Sequence, residues 1–184
     1  MFKEIRMVCF DVDGTLTDGI YQISESGEVT KSFCTKDFYA IEQLMRGGIK
    51  VLIITQSHDN VINRQIERIC SHSDFWTHSY AKFDLEVVTC VNNKEDFINC
   101  RIDDLDYSWE NIAYMGDAEG DYSCIAKAVF SGCPTDGVPH VRDIAMYPSD
   151  YRGGHGAVHD FAMYILEQRE IDVDEVREIS NGNS

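Results

Sequence analysis

Two aspartates stand directly after a short apolar segment near the start of the chain. Residues 5–10 (IRMVCF) contain the branched and aromatic side chains that suit a buried strand, and Asp11 and Asp13 follow them. Gly14 allows a sharp turn, and the Thr15 hydroxyl can orient a carboxylate. Because ligands of open α/β sheets bind at the carboxyl ends of the strands, this segment predicts a parallel sheet with a carboxylate site at that edge.

Strand-like and helix-like segments alternate along the chain, which is the pattern of a parallel sheet covered by helices on both faces. Residues 19–33 have the pattern of a β-hairpin, and the chain between Asp13 and Thr55 is too short for a cap domain. The predicted fold is therefore α/β, a Rossmann-like doubly wound parallel sheet with a small β-hairpin flap and no cap domain. The predicted strands are residues 5–10, 50–55, 87–91, 111–115 and 129–130, and the predicted helices are residues 38–46, 59–69, 94–100, a segment containing 125–126, and 157–167.

Two parts of the chain fit this pattern less closely. Residues 71–86 carry four aromatic side chains, which suit either a satellite hydrophobic cluster or a subunit interface. Residues 171–184 are acidic and end in Asn-Gly-Asn-Ser, so we expect them to fray. The sequence therefore predicts one domain over residues 1–170, followed by this tail.

Composition excludes several classes of function. The net charge of −16 argues against binding to nucleic acid, which needs a Lys/Arg footprint to neutralise phosphates. No apolar run approaches the roughly 20 residues that cross a bilayer, so no membrane association is expected. The seven cysteines are scattered, odd in number and without a CxxC pair, and no signal-peptide pattern is seen. These features favour a reducing, cytoplasmic setting in which most thiols are small buried hydrophobes.

The acidic pair after the first strand favours a divalent cation. Two carboxylates this close repel each other unless a cation or a shared proton compensates, and Mg²⁺ suits an oxygen-only site. The pattern D-x-D-G also occurs in calcium loops, but the twelfth position counted from Asp11 is Gln22 and not glutamate. A catalytic metal site therefore fits this segment better than a calcium loop or an acidic turn without function.

Polar residues follow the other predicted strands in a consistent order. Thr55 ends the second strand, Lys94 begins a helix, and Asp117 and Asp121 follow the fourth strand. The carboxylates can hold a metal with Asp11 left as nucleophile, Thr55 can donate a hydrogen bond to a phosphoryl oxygen, and a lysine can neutralise charge. The ordered set is what an in-line phosphoryl transfer needs, although each residue alone is a weak signal.

This ordered set resembles the haloacid dehalogenase (HAD) superfamily of phosphatases, over about residues 5–166. The matching motifs are residues 11–15 (DVDGT), Thr55, a lysine, and residues 116–121 (GDAEGD). The resemblance implies that Asp11 forms an aspartyl-phosphate and that Asp13 is the general acid/base. It also implies Mg²⁺ as cofactor, with the Asp11 side chain, the Asp13 backbone carbonyl and Asp117 as its ligands.

Three further segments resemble a narrower, capless subgroup: residues 16–19 (LTDG), 36–41 (KDFYAI) and 152–158 (RGGHGAV). Members of this subgroup dephosphorylate 3-deoxy-2-ulosonic acids, namely the 8-phosphate of the eight-carbon sugar acid KDO and the 9-phosphates of nine-carbon sialic acid relatives. A homologous domain is fused to acylneuraminate cytidylyltransferases. The resemblance implies a homotetramer in which neighbouring subunits cover each other's sites. The substrate-binding residues that it implies are Thr55, Ser57, Lys36, Asp37, Arg64, Arg152 and His155.

Several positions differ from the subgroup and leave the exact substrate open. Gln56 and Ser57 stand where the subgroup usually has Gly and then Arg or Glu, and His155 and His159 stand where Arg is common. The usual Asp-Gly-x-Gly after the hairpin is Asp-Phe-Tyr-Ala at residues 37–40.

The lysine of the third motif has two candidates. Lys94 has the usual lead into the next motif, a helix and then a strand, whereas Lys82 has the more usual distance from Thr55. We favour Lys94 and treat residues 71–86 as an insertion.

The sequence therefore favours an Mg²⁺-dependent phosphatase of an eight- or nine-carbon 3-deoxy-2-ulosonic acid. One alternative is a non-catalytic HAD-like oligomerisation module of the kind associated with acylneuraminate cytidylyltransferase, and another is a phosphatase of a different small metabolite. The presence of Asp11, Asp13 and Asp117 favours catalysis over the module.

Overall fold

In a computed structural model, which describes residues 1–82 and 84–169, a parallel sheet forms the centre of the molecule. The strands are β1 (Met7–Phe10), β2 (Gln22–Ile23), β3 (Val29–Thr30), β4 (Lys50–Ile54), β5 (Leu85–Val88), β6 (Ile112–Met115), β7 (Phe130–Cys133) and β8 (Tyr147–Pro148). Six of them form the parallel sheet in the order β5-β4-β1-β6-β7-β8, and β2 and β3 pair antiparallel as a separate hairpin. The predicted α/β fold with a β-hairpin flap is thus confirmed.

The first strand lies at the centre of the sheet. Phe10 pairs in register with Ile53 on one side and with Met115 on the other. All four residues of β1 are buried, as the continuous apolar run predicts for a strand covered on both faces. Because β1, β4 and β6 run in the same direction, the chain segments that follow them emerge at one edge of the sheet.

Helices cover both faces of the sheet. They are α1 (Thr35–Arg46), α2 (Val61–Cys70), α3 (Asp74–Ala81), α4 (Lys94–Leu105), α5 (Tyr122–Lys127), α6 (Pro139–Ile144) and α7 (Ala157–Gln168). One core cluster includes Leu44 of α1 and Phe161 of α7, and the other includes Ile102 of α4 and Ile125 of α5. None of the helices in the two described ranges combines the length and the apolar character that a membrane span requires.

Residues 74–81 are not a satellite of the core. They form α3, and Trp76 is buried within the same cluster as the side chains of α1. The indole Nε1 donates a hydrogen bond to Glu42 Oε2 at 2.9 Å, which satisfies its polar atom. Of the two alternatives for the aromatic side chains of residues 71–86, the satellite cluster is therefore wrong for Trp76, which extends the main core.

The strand predicted at residues 87–91 begins two residues earlier and ends at Val88. Leu85 is buried and pairs with Val51, which brings it into the sheet. Cys90 has a φ of 62°, which a regular strand does not allow, so the chain leaves the sheet before this residue.

Other boundaries also differ from the prediction. Helix α4 continues to Leu105, five residues beyond the predicted end, and α6 and β8 are not predicted at all. Helix α6 contains six residues and strand β8 two, and such short elements show no recognisable hydrophobic period. The predicted fraying of residues 171–184 lies outside the described residues.

Candidate active site

Side chains that follow the central strands line one cavity at the carboxyl edge of the sheet. Its volume is about 160 Å³. The lining residues are Asp11, Asp13, Thr55, Gln56, Ser57, Lys94, Asp117, Ala118, Gly120 and Asp121. The structure therefore brings together every residue that the sequence analysis assigned to catalysis or to metal binding.

Lys94 is buried between two carboxylates. Its Nζ contacts Asp11 Oδ1 and lies 2.7 Å from Asp121 Oδ1. Burial opposes its charge, but attraction to both carboxylates raises the pKa of Lys94 above its ordinary value, so the ammonium stays charged. The alternative, Lys82, is exposed at the end of α3 and does not line the cavity. Lys94, and not Lys82, thus lies beside the candidate nucleophile.

Donors from the protein occupy both oxygens of Asp121. Its Oδ1 accepts hydrogen bonds from Lys94 Nζ at 2.7 Å and from the Tyr114 hydroxyl at 2.6 Å. Its Oδ2 accepts from the backbone N–H groups of Asp117 and Ala118, each at 3.1 Å. Asp121 is therefore suited to orienting Lys94 and the loop after β6, and poorly suited to binding a ligand.

The carboxylates of Asp11 and Asp117 fit a divalent cation. Oxygens of Asp11, Asp117 and Asp121 lie within 4.8 Å of one another, and Asp117 Oδ1 is buried with no hydrogen-bond partner among the described residues. Burial and repulsion by Asp121 raise the pKa of Asp117 to about 7, and raise the pKa of Asp11 well above its ordinary value. Asp11 and Asp121 contact the Lys94 ammonium and an oxygen of Asp117 lies within 4.8 Å of theirs, so three carboxylates share one cation. Because Asp121 is already occupied, the side-chain oxygens of Asp11 and Asp117 are those that suit Mg²⁺.

Gly14 makes room for this acidic pair. Its φ is +97°, and a Cβ atom built on it would lie 2.1 Å from Asp117 Oδ2. A side chain at position 14 would therefore displace the Asp117 carboxylate. The glycine of the first motif thus permits both the turn and the close approach of Asp117.

Thr55 borders the cavity at the end of β4. Its Oγ1 accepts a hydrogen bond from the backbone N–H of Ser57 at 3.0 Å, which orients the hydroxyl and leaves its hydrogen available for donation. Next to it, Gln56 Nε2 donates to the Asn92 carbonyl at 3.1 Å. Thr55 can therefore donate to an oxyanion bound in the cavity, as predicted from its place in the chain.

A lysine of the flap reaches the site, which the sequence analysis missed. Lys31 follows β3, and its Nζ lies 2.6 Å from Asp13 Oδ1, 2.6 Å from Asp59 Oδ2 and 3.3 Å from Ser57 Oγ. Burial opposes the charge, but the hydrogen bonds to both carboxylates raise the pKa of Lys31. A single lysine after a two-residue strand carries no local pattern. The position of Lys31 beside Asp13 depends on how the hairpin packs against the edge of the sheet, which is a tertiary contact.

The predicted substrate-binding residues are not all in the cavity lining. Thr55 and Ser57 line it. Lys36 is exposed in the first turn of α1, and Arg64 forms an ion pair of 2.7 Å with Glu67 on the exposed side of α2. Neither cation contacts the cavity, because its helix directs it towards solvent.

Asp37 is buried and holds the start of the C-terminal helix. Its Oδ1 accepts a hydrogen bond from the backbone N–H of His159, in the first turn of α7, at 2.9 Å. Burial raises the pKa of Asp37 to about 6, although hydrogen bonds from His159 and Gly156 partly lower it. The prediction that Asp37 contacts a substrate is therefore corrected, since its side chain has no exposed surface and its carboxylate faces α7.

The glycine-rich segment before α7 packs against the turn that follows β1. A Cβ atom at Gly153 would lie 1.9 Å from the Gly14 carbonyl oxygen, so only glycine permits this contact. Arg152 and His155 are exposed, and His155 Nδ1 lies 2.8 Å from the Gly153 carbonyl. The segment thus borders the site in its own subunit without bringing the Arg152 or the His155 side chain into the cavity.

Comparison with known proteins gives two kinds of relative, while no protein-family model matches the chain. The N-acylneuraminate cytidylyltransferase of Oncorhynchus mykiss is 30% identical over 162 residues, which are 88% of this chain and 35% of that protein. The 3-deoxy-D-manno-octulosonate 8-phosphate phosphatase of Escherichia coli K12 is 29% identical over 171 residues, which are 92% of this chain and 84% of that protein. The chain therefore spans about a third of the first relative and most of the second.

Solved structures share the whole fold. A structure from Legionella pneumophila, described as an HAD superfamily hydrolase of subfamily III A, has a TM-score of 0.81 and 26% identity, covering 92% of this chain and 86% of its own. The 3-deoxy-D-manno-octulosonate 8-phosphate phosphatase of Moraxella catarrhalis, solved with a magnesium ion, a phosphate ion and KDO, has a TM-score of 0.80 and 24% identity. That match covers 92% of this chain and 90% of the other.

Proposed function

Because the chain belongs to the haloacid dehalogenase superfamily, we propose that it is a phosphoric monoester hydrolase that uses Mg²⁺. We further propose that its substrate is the phosphate ester of an eight- or nine-carbon 3-deoxy-2-ulosonic acid. The observation that carries the proposal is the cavity in which Lys94 contacts Asp11, while Asp117 Oδ1 has no hydrogen-bond partner in the part of the chain that the structure describes. The Escherichia coli phosphatase, matched over 84% of its length, supports the sugar-acid substrate.

In the proposed reaction, an Asp11 oxygen attacks phosphorus and the bond to the leaving oxygen breaks, which forms an aspartyl-phosphate. Asp13 gives a proton to the leaving oxygen and later takes one from the water that hydrolyses the intermediate. Lys94, in contact with Asp11, offsets the charge of nucleophile and phosphate, and Thr55 donates to a phosphoryl oxygen. Mg²⁺ held by Asp11, Asp117 and the Asp13 carbonyl would supply further charge neutralisation.

We also propose that the chain forms a homotetramer in which neighbouring subunits cover each other's cavities. The hairpin exposes Ile20, Tyr21 and Ile23, whose relative exposures are 68%, 57% and 64%. A two-stranded ribbon is too small to bury such side chains by itself, so packing against its own copies suits it. Closure by a neighbour also suits a cavity without a cap domain.

Two other functions have some support. A non-catalytic module associated with acylneuraminate cytidylyltransferase is suggested by the match to 35% of such an enzyme. The complete set of Asp11, Asp13, Lys94 and Asp117 weighs against it, because an oligomerisation module needs no buried, mutually repelling carboxylates. A phosphatase of another small metabolite is suggested by Gln56 in the cavity lining, where the subgroup usually has glycine.

A substrate panel tests these functions. The purified chain is incubated with KDO 8-phosphate, nine-carbon 9-phosphates and hexose phosphates, with Mg²⁺ or with EDTA, and released phosphate is measured. We expect Mg²⁺-dependent release and a preference in kcat/KM of about tenfold or more for a sugar-acid phosphate. Preference for a hexose phosphate would favour a phosphatase of another small metabolite. No release of phosphate from any ester would favour the non-catalytic oligomerisation module.

A further inference from the structure

Lys31 joins three parts of the molecule that are distant in sequence. It lies in the flap, whereas Asp13 follows β1 and Asp59 precedes α2. An ammonium has three N–H donors, and Asp13, Asp59 and Ser57 provide three acceptors within 3.3 Å. Its side chain is 3% exposed. The donors of Lys31 are thus directed at the protein, which leaves none for a substrate.

The second carboxylate around Lys31 is itself firmly held. Asp59 Oδ1 accepts from the backbone N–H of Val61, at the start of α2, at 3.0 Å. Asp59 Oδ2 accepts from the Ser57 hydroxyl at 2.5 Å as well as from Lys31. Lys31 therefore rests on a fixed anchor, and through it the flap is fixed to the sheet edge.

Asp13 needs such an anchor. Its side chain is 32% exposed, and a partly exposed carboxylate on a turn rotates easily unless a partner holds it. Proton transfer depends on this orientation, because the reacting atoms must approach hydrogen-bond distance. A misplacement of about 1 Å can cost about a hundredfold in rate.

We propose that Lys31 is a positioning residue, which holds one oxygen of Asp13 so that the other serves proton transfer in the cavity. This role rests on the function proposed above and makes the flap a part of the active site. Lys31 acts through Asp13, so its loss should change turnover more than substrate binding.

The test compares Lys31→Met and Lys31→Arg with Ser32→Ala, a matched control at the exposed neighbouring position. With saturating Mg²⁺ and the best substrate of the wild type, Lys31→Met should lower kcat by about tenfold or more and change KM less than about threefold. Lys31→Arg should restore part of kcat, and Ser32→Ala should match the wild type. A folded Lys31→Met variant with unchanged kcat, or with only a raised KM, would overturn the positioning role.

A second variant keeps the inference testable if Lys31→Met does not fold. Asp59→Asn retains the Oδ1 acceptor for α2 but weakens the anchor of Lys31. Asp59→Asn should also lower kcat. The double variant Lys31→Met/Asp59→Asn should be no slower than Lys31→Met alone, because both changes act through the contact of Lys31 with Asp13. A folded Asp59→Asn variant with unchanged kcat would contradict the inference, as would independent, multiplicative losses where Lys31→Met folds.

The two proposals fail in different ways. A wild-type chain that releases no phosphate from any ester overturns the proposed phosphatase function and the role of Lys31 with it. Normal wild-type turnover together with an unimpaired, folded Lys31→Met variant overturns the role of Lys31 alone.

Discussion

The acidic residues of the cavity differ in how many of their oxygens the protein already uses. Asp121 accepts four hydrogen bonds, Asp13 gives one oxygen to Lys31, and Asp117 Oδ1 has no partner among the described residues. The surrounding donors thus determine which aspartate oxygens remain available for a metal or for proton transfer. This is why the sequence predicts the set of carboxylates more readily than the task of each.

The nucleophile is tested by Asp11→Asn. The amide cannot attack phosphorus, so turnover should fall by more than about a hundredfold, which is about 3 kcal/mol of barrier. Phosphate release is measured beside Asp104→Asn, a control at an exposed position, and folding is followed by circular dichroism. Residual activity of Asp11→Asn above about a hundredth of the wild type would remove it from this role.

The two candidate lysines are separated by Lys94→Met and Lys82→Met. Only Lys94 contacts Asp11, so only its loss should reduce kcat by about a hundredfold or more. Loss of Lys94 also leaves two buried carboxylates without their cation, which should cost about 3–5 kcal/mol of stability. Turnover and thermal unfolding are measured for both variants. A severe loss in Lys82→Met with a mild one in Lys94→Met would reverse the assignment.

Among the elements, predictability follows the length and burial of each apolar run. Strands β4 and β6 begin and end within one residue of their predicted bounds, and β1 ends where predicted but begins two residues later. They are predictable because a strand covered on both faces needs uninterrupted apolar side chains. In contrast, α3 is held by a contact of Trp76 with Glu42, which is 34 residues away in the sequence. Such a contact is a tertiary effect, and no local pattern reports it.

The junction between α1 and α7 gives a prediction about pH. Burial raises the pKa of Asp37 from 3.8 to about 6, so the folded state holds this proton more tightly than the unfolded state does. The contribution of Asp37 to the free energy of unfolding is therefore highest below pH 4 and is lost as the pH rises from about 4 to about 6. The loss is up to about 3 kcal/mol.

Asp37→Asn should remove this loss, because the amide keeps the Oδ1 acceptor and cannot ionise. Urea unfolding at pH 4.5 and pH 7.5 measures the effect: relative to the wild type, the variant should gain stability as the pH rises. A difference between variant and wild type that does not change with pH would show that burial of Asp37 does not control its ionisation.

For the whole molecule, the exposed face of the hairpin is the feature that bears on assembly. Replacing Ile20 and Ile23 by serine removes apolar surface that residues 1–82 and 84–169 leave exposed. We expect light scattering to show a tetramer for the wild type and smaller species for the double variant, with a lowered kcat/KM. A wild-type monomer with full activity would contradict the proposed sharing of sites.

The cavity is small for a binding pocket, and this bears on inhibitor design. Its volume of about 160 Å³ lies below the roughly 300–1,000 Å³ of typical small-molecule sites, so it suits a phosphoryl group better than a whole sugar acid. A compound that fills only this volume would meet carboxylates, a lysine and a threonine, as would any oxyanion. Selective compounds would have to extend beyond the cavity, past Gln56 and Ser57, which stand where the capless subgroup usually has Gly and then Arg or Glu.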